Sequence, residues 1–375
     1  MPIELIDLVV AHSDNITLRT LAETSVYFKH IAYAMLYEEF TIHSDDDINF
    51  IRAHVAVQGA VRILNITHRN APIELPRLPF VVSLNWTCEN ADAVDQVNSV
   101  EISMVLSQIP ALRRAKLRLD VDVLTELQEG ISTHAHVLES LEIGFPSYAP
   151  RFQQCGAIAG FSRLRRLRFC NDKKHDIGAY VEAFVAPIST ALTYVCFPPF
   201  CSWTSFSNAL DCLRSTIEEI ELDRFVGLDP YDTYQRLEMP SLKTIIFNIQ
   251  DIHLSSNALW TLIKDFLAAF QAGRRTSNLR TIRIRTHASA ILDAFQAGQT
   301  SWRIFEGQHG GGQSPMEWDE WLPNIARNLR MELEIQSLYD PDSWESHVLA
   351  DAIYSAAQSL GTHRFSARVI HNYLL

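Results

Sequence analysis

The sequence predicts an α/β chain: a small three-helix domain over residues 1–42, then a solenoid with one curved parallel sheet over residues 43–375, closed by a helical cap. Three observations predict it. A six-residue pattern, aliphatic-x-x-aliphatic-x-apolar, recurs along the chain at nearly constant spacing. Within each copy apolar and polar residues alternate, as a strand with one buried face requires. The first forty or so residues instead carry their apolar residues at helical spacing.

The opening "MPIELIDLVV" reads as a first helix. Pro2 suits a first turn, where its missing N–H would be unpaired anyway, and Glu4 and Asp7 favour the positive end of the helix dipole. Ile3, Ile6 and Val10 form a stripe, with Leu5 and Val9 beside it. A secretion signal is not expected of this run. No Lys or Arg precedes Arg19, and the uninterrupted apolar core, residues 8–11, is shorter than the roughly 7–15 residues of a signal's apolar region. Ser13, Asp14 and Asn15 are turn and cap types. A second helix, "ITLRTLAET", and a third, "SVYFKHIAYAMLYEEF" capped by Ser25, follow. Three helices this short cannot bury their own apolar faces and lean on a partner or on the next domain.

Pro2, Glu4, Leu5, Ile6 and Val9, followed by Leu18-Arg19, Ser25, Phe28 and Leu36-Tyr37, resemble an F-box in the form abundant in fungal F-box-like proteins. Met1 stands where that pattern has Leu, and Phe28 where Trp is usual. The resemblance implies docking to a Skp-family adaptor, and through it to a cullin, by the anchors Pro2, Leu5, Ile6, Val9, Leu18, Phe28 and Leu36. It further implies that the chain is a substrate-recognition adaptor of an SCF-type (Skp–cullin–F-box) ubiquitin ligase. The alternative is that the three helices only cap the domain behind them.

That domain carries the six-residue pattern at "VRILNI" (61), "VVSLNW" (81), "LRRAKL" (112), "LESLEI" (138), "LRRLRF" (164), "LTYVCF" (192), "IEEIEL" (217), "LKTIIF" (242) and "LRTIRI" (279). "NLRMELEI" (328) fits with one extra residue. From 112 to 242 the starts lie 25 to 28 residues apart, the period of a leucine-rich repeat, in which each unit is a short strand and a helical or irregular return. "DVLTELQEGISTHAHV" and "NALWTLIKDFLAAFQAG" fit the return leg. "AFQAG" occurs at 269–273 and again at 294–298, each ending on a Gly suited to a helix C-terminus. The spacing loosens after 242, where "FEGQHGGGQSPMEWDEW" reads as an exposed loop. The tail "DSWESHVLADAIYSAAQSL" reads as the helical cap that ends the stack.

Composition narrows the function classes. Apolar content of 47% with 20% charged residues suits a folded chain with a sizeable core. A net charge of -12 argues against a nucleic-acid partner, which needs clustered Lys and Arg. No apolar run approaches the roughly 18 residues of a membrane span, so no membrane partner is expected. Cysteines 88, 155, 170, 196, 201 and 212 form no Cys-x-x-Cys pair and are expected to be reduced and mostly buried, in a cytoplasmic or nuclear protein.

No chemistry-bearing motif emerges. "GQHGGGQ" lacks the Lys-Ser/Thr of a phosphate loop. "SDDD" at 44–47 reads as an acidic helix start, and "HAH" at 134–136 as a solvated helix end without a third metal ligand. No Gly-x-Ser-x-Gly or His-Glu-x-x-His is present. The chain is therefore expected to be no enzyme and to use no cofactor or metal. What remains is surface. In the strand register above, Leu167 and Phe169 point inward while Arg166 and Arg168 point out. The outward positions form a ladder of Arg114, Lys116, Arg118, Arg166, Arg168, Tyr194, Cys196, Glu219, Glu221, Asp223, Arg283 and Arg285. Those charge blocks are the candidate contact face for a protein substrate, giving specificity more than raw affinity.

Overall fold

In a computed structural model of the chain, all ten copies of the six-residue pattern are strands. The structure describes residues 10, 12–24, 26–67, 73–88, 97–119, 124–144, 161–170, 181, 185, 191–198, 203–223, 239–249, 278–288, 330–337, 343, 346–347, 350 and 365–371. The expected first helix (Val10 aside), both "AFQAG" copies, the Gly-rich stretch and nearly all of the expected C-terminal cap lie outside those residues. The chain divides into two compact units, Met1–Lys173 and Lys174–Leu375.

The first unit opens with α1 (Asn15–Thr24) and α2 (Val26–Leu36). Asp14 caps α1 by accepting from the Thr17 N–H at 2.7 Å. Leu18 and Ala22 of α1, Ala32 of α2 and Val10 make a small buried core, with Leu21, Ile31, Tyr33 and Leu36 packed on it. The expected third helix runs to Phe40 but ends at Leu36, because residues 39–42 extend into the sheet. Strands β1 (Glu39–Ile42), β2 (Ile63–Ile66), β3 (Ser83–Cys88), β4 (Arg114–Leu119), β5 (Ser140–Gly144) and β6 (Arg166–Cys170) then pair in that order, each parallel to the next.

Register follows the repeat frame residue by residue. Leu64, Leu84, Ala115, Leu141 and Leu167 stand side by side across the sheet, and so do Ile66, Trp86, Leu117, Ile143 and Phe169. All ten are buried. A second regularity marks the start of each strand. The Glu38, Arg62, Val82, Arg113 and Glu139 carbonyls each accept two successive N–H groups of the following repeat. Glu38 in that series shows that the array begins with residues 37–42, ahead of the expected boundary at 43.

The returns carry α3 (Asp45–Ala53), α4 (Val55–Ala60), α5 (Ser99–Ser107) and α6 (Leu124–Ser132). The acidic run at 45–47 is indeed a helix start: Asp47 accepts from the His43 and Ser44 N–H groups at 2.9 and 3.0 Å. Asn98 and Glu101 form a reciprocal capping box on α5. α5 and α6 approach so closely that a Cβ at Gly130 would sit 2.5 Å from the Ile102 Cβ.

The second unit repeats the scheme with β7 (Tyr194–Phe197), β8 (Glu219–Leu222), β9 (Thr244–Ile249), β10 (Thr281–His287), β11 (Arg330–Ser337) and β12 (Phe365–His371), again parallel and in chain order. Helix α7 (Trp203–Leu213) lies between β7 and β8 in the chain. Val195, Ile220, Ile245, Ile282 and Met331 stand in one row. Met331 and Leu333 pair with Ile282 and Ile284, so the strand needs no extra residue. β12 was not expected from the sequence.

Candidate functional site

The outward strand positions of each unit are where the chain concentrates charge. In the first unit three adjacent strands put them in rows. Arg114 lies beside Ser140 and then Arg166; Lys116 beside Glu142 and then Arg168; Arg118 beside Gly144 and then Cys170. Arg114 and Arg166 are exposed, and Lys116, Arg118 and Arg168 half-buried. Lys116 Nζ lies 3.0 Å from Glu142 Oε1, and the Cys170 thiol donates to the same oxygen at 3.3 Å. Burial and then Glu142 push that thiol up to about 12, against the pull of Arg168 and Arg118, so it stays protonated. A Cβ at Gly144 would sit 3.0 Å from Arg118 Cγ, so the bare glycine leaves room for the Arg118 stem to lie across β5. The described face thus holds five basic side chains and one carboxylate.

The second unit turns its charges on one another. The Tyr194 hydroxyl donates to Glu221 Oε2 at 2.7 Å, and Arg285 Nη1 reaches the same oxygen at 3.1 Å. Arg285 Nε donates to Glu334 Oε1 at 2.7 Å, Arg368 Nη2 to Glu334 Oε2 at 2.5 Å, and Arg283 Nη2 lies 2.7 Å from Glu332. Asn248 donates to Asp223 at 2.8 Å. Burial works against the charge of Arg285, but Glu221 and Glu334 outweigh it and raise its affinity for the proton.

The sequence expects Tyr194, Cys196 and Glu221 to stand exposed on a contact ladder. They occupy the outward register, yet Tyr194 and Glu221 are 4% and 1% exposed and Cys196 is fully buried. Ile246, in the same row as Glu221, is buried too. Glu332, Glu334 and Arg368, which complete the network, were missed. Their signal was readable, since Glu-x-Glu in "RMELEI" lies opposite Arg-x-Arg in "TIRIRT".

Of the expected docking anchors, Pro2, Leu5, Ile6 and Val9 lie outside the described residues. Leu18 is 3% exposed inside the helix pair's own core, Leu36 packs on that core, and Phe28 is half-buried. Among the described side chains of the two helices, the large apolar ones that stand exposed are instead Ile16, Val26 and Met35. Rings of Tyr33, Tyr37, Phe40 and Phe50, with centroids 5.2 to 6.1 Å apart, tie the end of α2 to β1 and α3.

His134, expected at a solvated helix end, is buried, and burial followed by the nearby His136 lowers its affinity for a proton; His136 is exposed. Among the described residues no group of three or more His, Cys, Asp or Glu could hold a metal ion. No described helix is long and apolar enough to cross a membrane. Cys170, Cys196 and Cys212 form no disulfide, and Cys212 is exposed.

Compared with known proteins, the chain matches no family model and no curated protein sequence. Among solved structures it is similar to the leucine-rich repeat-containing protein LegL7 from Legionella pneumophila, at 13% identity and a TM-score of 0.41, covering 74% of this chain and 95% of that one. The parallel, register-locked strands with their repeated two-donor joints make the fold here a leucine-rich-repeat-like strand array in each unit.

Proposed function

We propose that the chain is a non-catalytic, protein-binding adaptor whose outward strand face holds a protein substrate. In the finer form of this reading, the N-terminal helices dock a Skp-family adaptor and through it a cullin, delivering that substrate to an SCF-type ubiquitin ligase. The observation that carries the binding role is the β4–β6 face, where the repeat register sets five basic side chains on one surface of an otherwise acidic chain. The F-box-like pattern of residues 2–37 carries the docking role, and exposed Ile16, Val26 and Met35 supply apolar surface beside it.

Co-purification with a recombinant Skp-family adaptor tests the docking. A stoichiometric complex is expected, and Phe28→Ala should weaken it by about 2 kcal/mol or more if Phe28 is an interface anchor. Failure of the wild-type chain to bind overturns the ligase reading.

A second reading, that the helices only cap the repeats, is favoured by the aromatic stitching of Tyr37 to Phe40 and Phe50. Deleting residues 1–36, which spares β1, separates the two. A repeat domain that stays folded but no longer captures the adaptor supports docking; one that unfolds supports capping.

A further inference from the structure

We infer that β3, on the outward face of the first unit, binds the main chain of an extended, uncharged segment of a partner protein, one edge of that segment facing the strand. This deepens the protein-binding reading above, on which it rests, by naming what in the partner is recognised.

Ser83, Asn85 and Thr87 take the outward positions of β3, two residues apart, and all three are half-buried. Each of these side chains holds at least one hydrogen-bond donor and one acceptor. Among the described residues none of the three side chains has a hydrogen-bond partner. The neighbouring strand differs. On β2, Asn65 donates to Glu39 Oε1 at 2.7 Å, and Thr67 Oγ1 lies 2.7 Å from His43 Nδ1. The polar groups of β2 are thus satisfied within the sheet, and those of β3 are left for something else. Asn85 makes the point most sharply. Its Oδ1 is buried without a partner, a state that folded proteins rarely keep. Its χ2 is a broad, roughly two-fold torsion, so a turn of the amide brings either half to a ligand.

Pitch selects the ligand. Same-face residues of a strand repeat about every 6.6 Å, and so do the N–H and C=O groups along one edge of an extended chain. A segment lying over β3 with one edge down therefore brings the N–H and C=O of residues i, i+2 and i+4 to Ser83, Asn85 and Thr87. Each peptide residue offers one donor and one acceptor, and the Asn85 amide can answer both. The segment's side chains then project over β2 and β4 instead of into β3. Main-chain bonds set the affinity, and the segment's sequence is read weakly. No outward position of β2 or β3 is charged, so a neutral segment suits the strip and no charge has to give up its hydration.

Fluorescence anisotropy on the full chain tests this with a short dye-labelled peptide alternating Thr and Ser. Saturable binding is expected, within about threefold for a Thr–Gln counterpart and little changed by salt. Methylating the backbone nitrogens of alternate residues leaves the other edge intact, so that peptide should still bind. Methylating every backbone nitrogen should abolish binding. Asn85→Leu keeps the side chain's volume and should weaken binding about tenfold or more. It should melt no lower than wild type, because it removes a buried acceptor that has no partner. A lower melt would mean that Asn85 is already satisfied within the protein, and overturns the inference. Ser83→Ala/Thr87→Val should weaken binding several-fold with an unchanged melt. Failure of the wild-type chain to bind the Thr–Ser peptide, binding of the fully methylated peptide, undiminished binding by both variants, or displacement of the peptide by an oligosaccharide also overturns it. Capture of the Skp-family adaptor is read on the same protein. Adaptor capture without peptide binding sinks this inference alone, and peptide binding without capture supports it while sinking only the ligase reading.

Discussion

Lys116 and Glu142 meet across β4 and β5 with 40% and 22% of their side chains exposed, whereas Arg285 and Glu221 meet with 18% and 2% exposed. Both pairs occupy outward strand positions of the same repeat frame. In the first unit Glu142 is the one carboxylate among five basic groups on the described face. In the second, Glu221 and Glu334 are matched by Arg285 and Arg368, and Tyr194 adds its hydroxyl. The same register therefore yields a half-exposed face in one place and a buried cross-strand clasp in the other. What differs is burial and charge balance, since strand pairing is parallel in both.

The largest test of that contrast is Arg285→Met. It leaves Glu221 and Glu334 buried without the cation that bridges β8 and β11, a loss of about 3–5 kcal/mol for breaking a buried pair. Hydrogen exchange followed by mass spectrometry should show β8–β11 amides losing protection while β3–β5 amides are unchanged. Equal loss in both units, or none, would remove the distinction between clasp and surface.

Much of this was legible in advance, and the exceptions have physical causes. Ten strands followed from one pattern because each slot had to be filled by a side chain that packs inward. β1 escaped because Tyr37 and Phe40 fill slots where aliphatic residues were sought, although Phe40 pairs with Leu64 in the same register. β12 escaped because Phe365 fills the slot, beside Met331, where an aliphatic residue was sought. Alternation also placed Arg114, Lys116, Arg118, Arg166 and Arg168 outward. It could not tell that Tyr194 and Glu221 are buried there. Their partners come from strands far apart in sequence, and outward in register does not mean exposed. Ile246, an apolar residue in an outward slot, was the local hint.

Acid should act on the second unit through Glu334. Burial raises its carboxyl, but hydrogen bonds from Arg368 and Arg285 outweigh that and hold it below its usual value. A carboxyl depressed in the folded state stabilises above its unfolded value of about 4.3, and that stability is lost as the pH falls through the folded value. Urea midpoints should therefore fall on acidification below about pH 4.5, and Glu334→Gln should flatten that decline while lowering the plateau near neutrality. A decline as steep in the variant as in wild type would assign the acid sensitivity elsewhere, Asp47 included, whose partial burial is outweighed by the His43 and Ser44 N–H groups.

The smallest effect expected is also the matched control. Lys116→Met removes the cation from the ion pair on the first unit's face, as Arg285→Met does in the second. Glu142 keeps its contact with the Cys170 thiol and remains 22% exposed, so water takes over part of what Lys116 supplied. Exposed pairs contribute about 0–1 kcal/mol, and the long Lys stem still packs when replaced by Met. The urea midpoint should move little. A stability loss comparable to that of Arg285→Met would mean that this face, too, is a clasp.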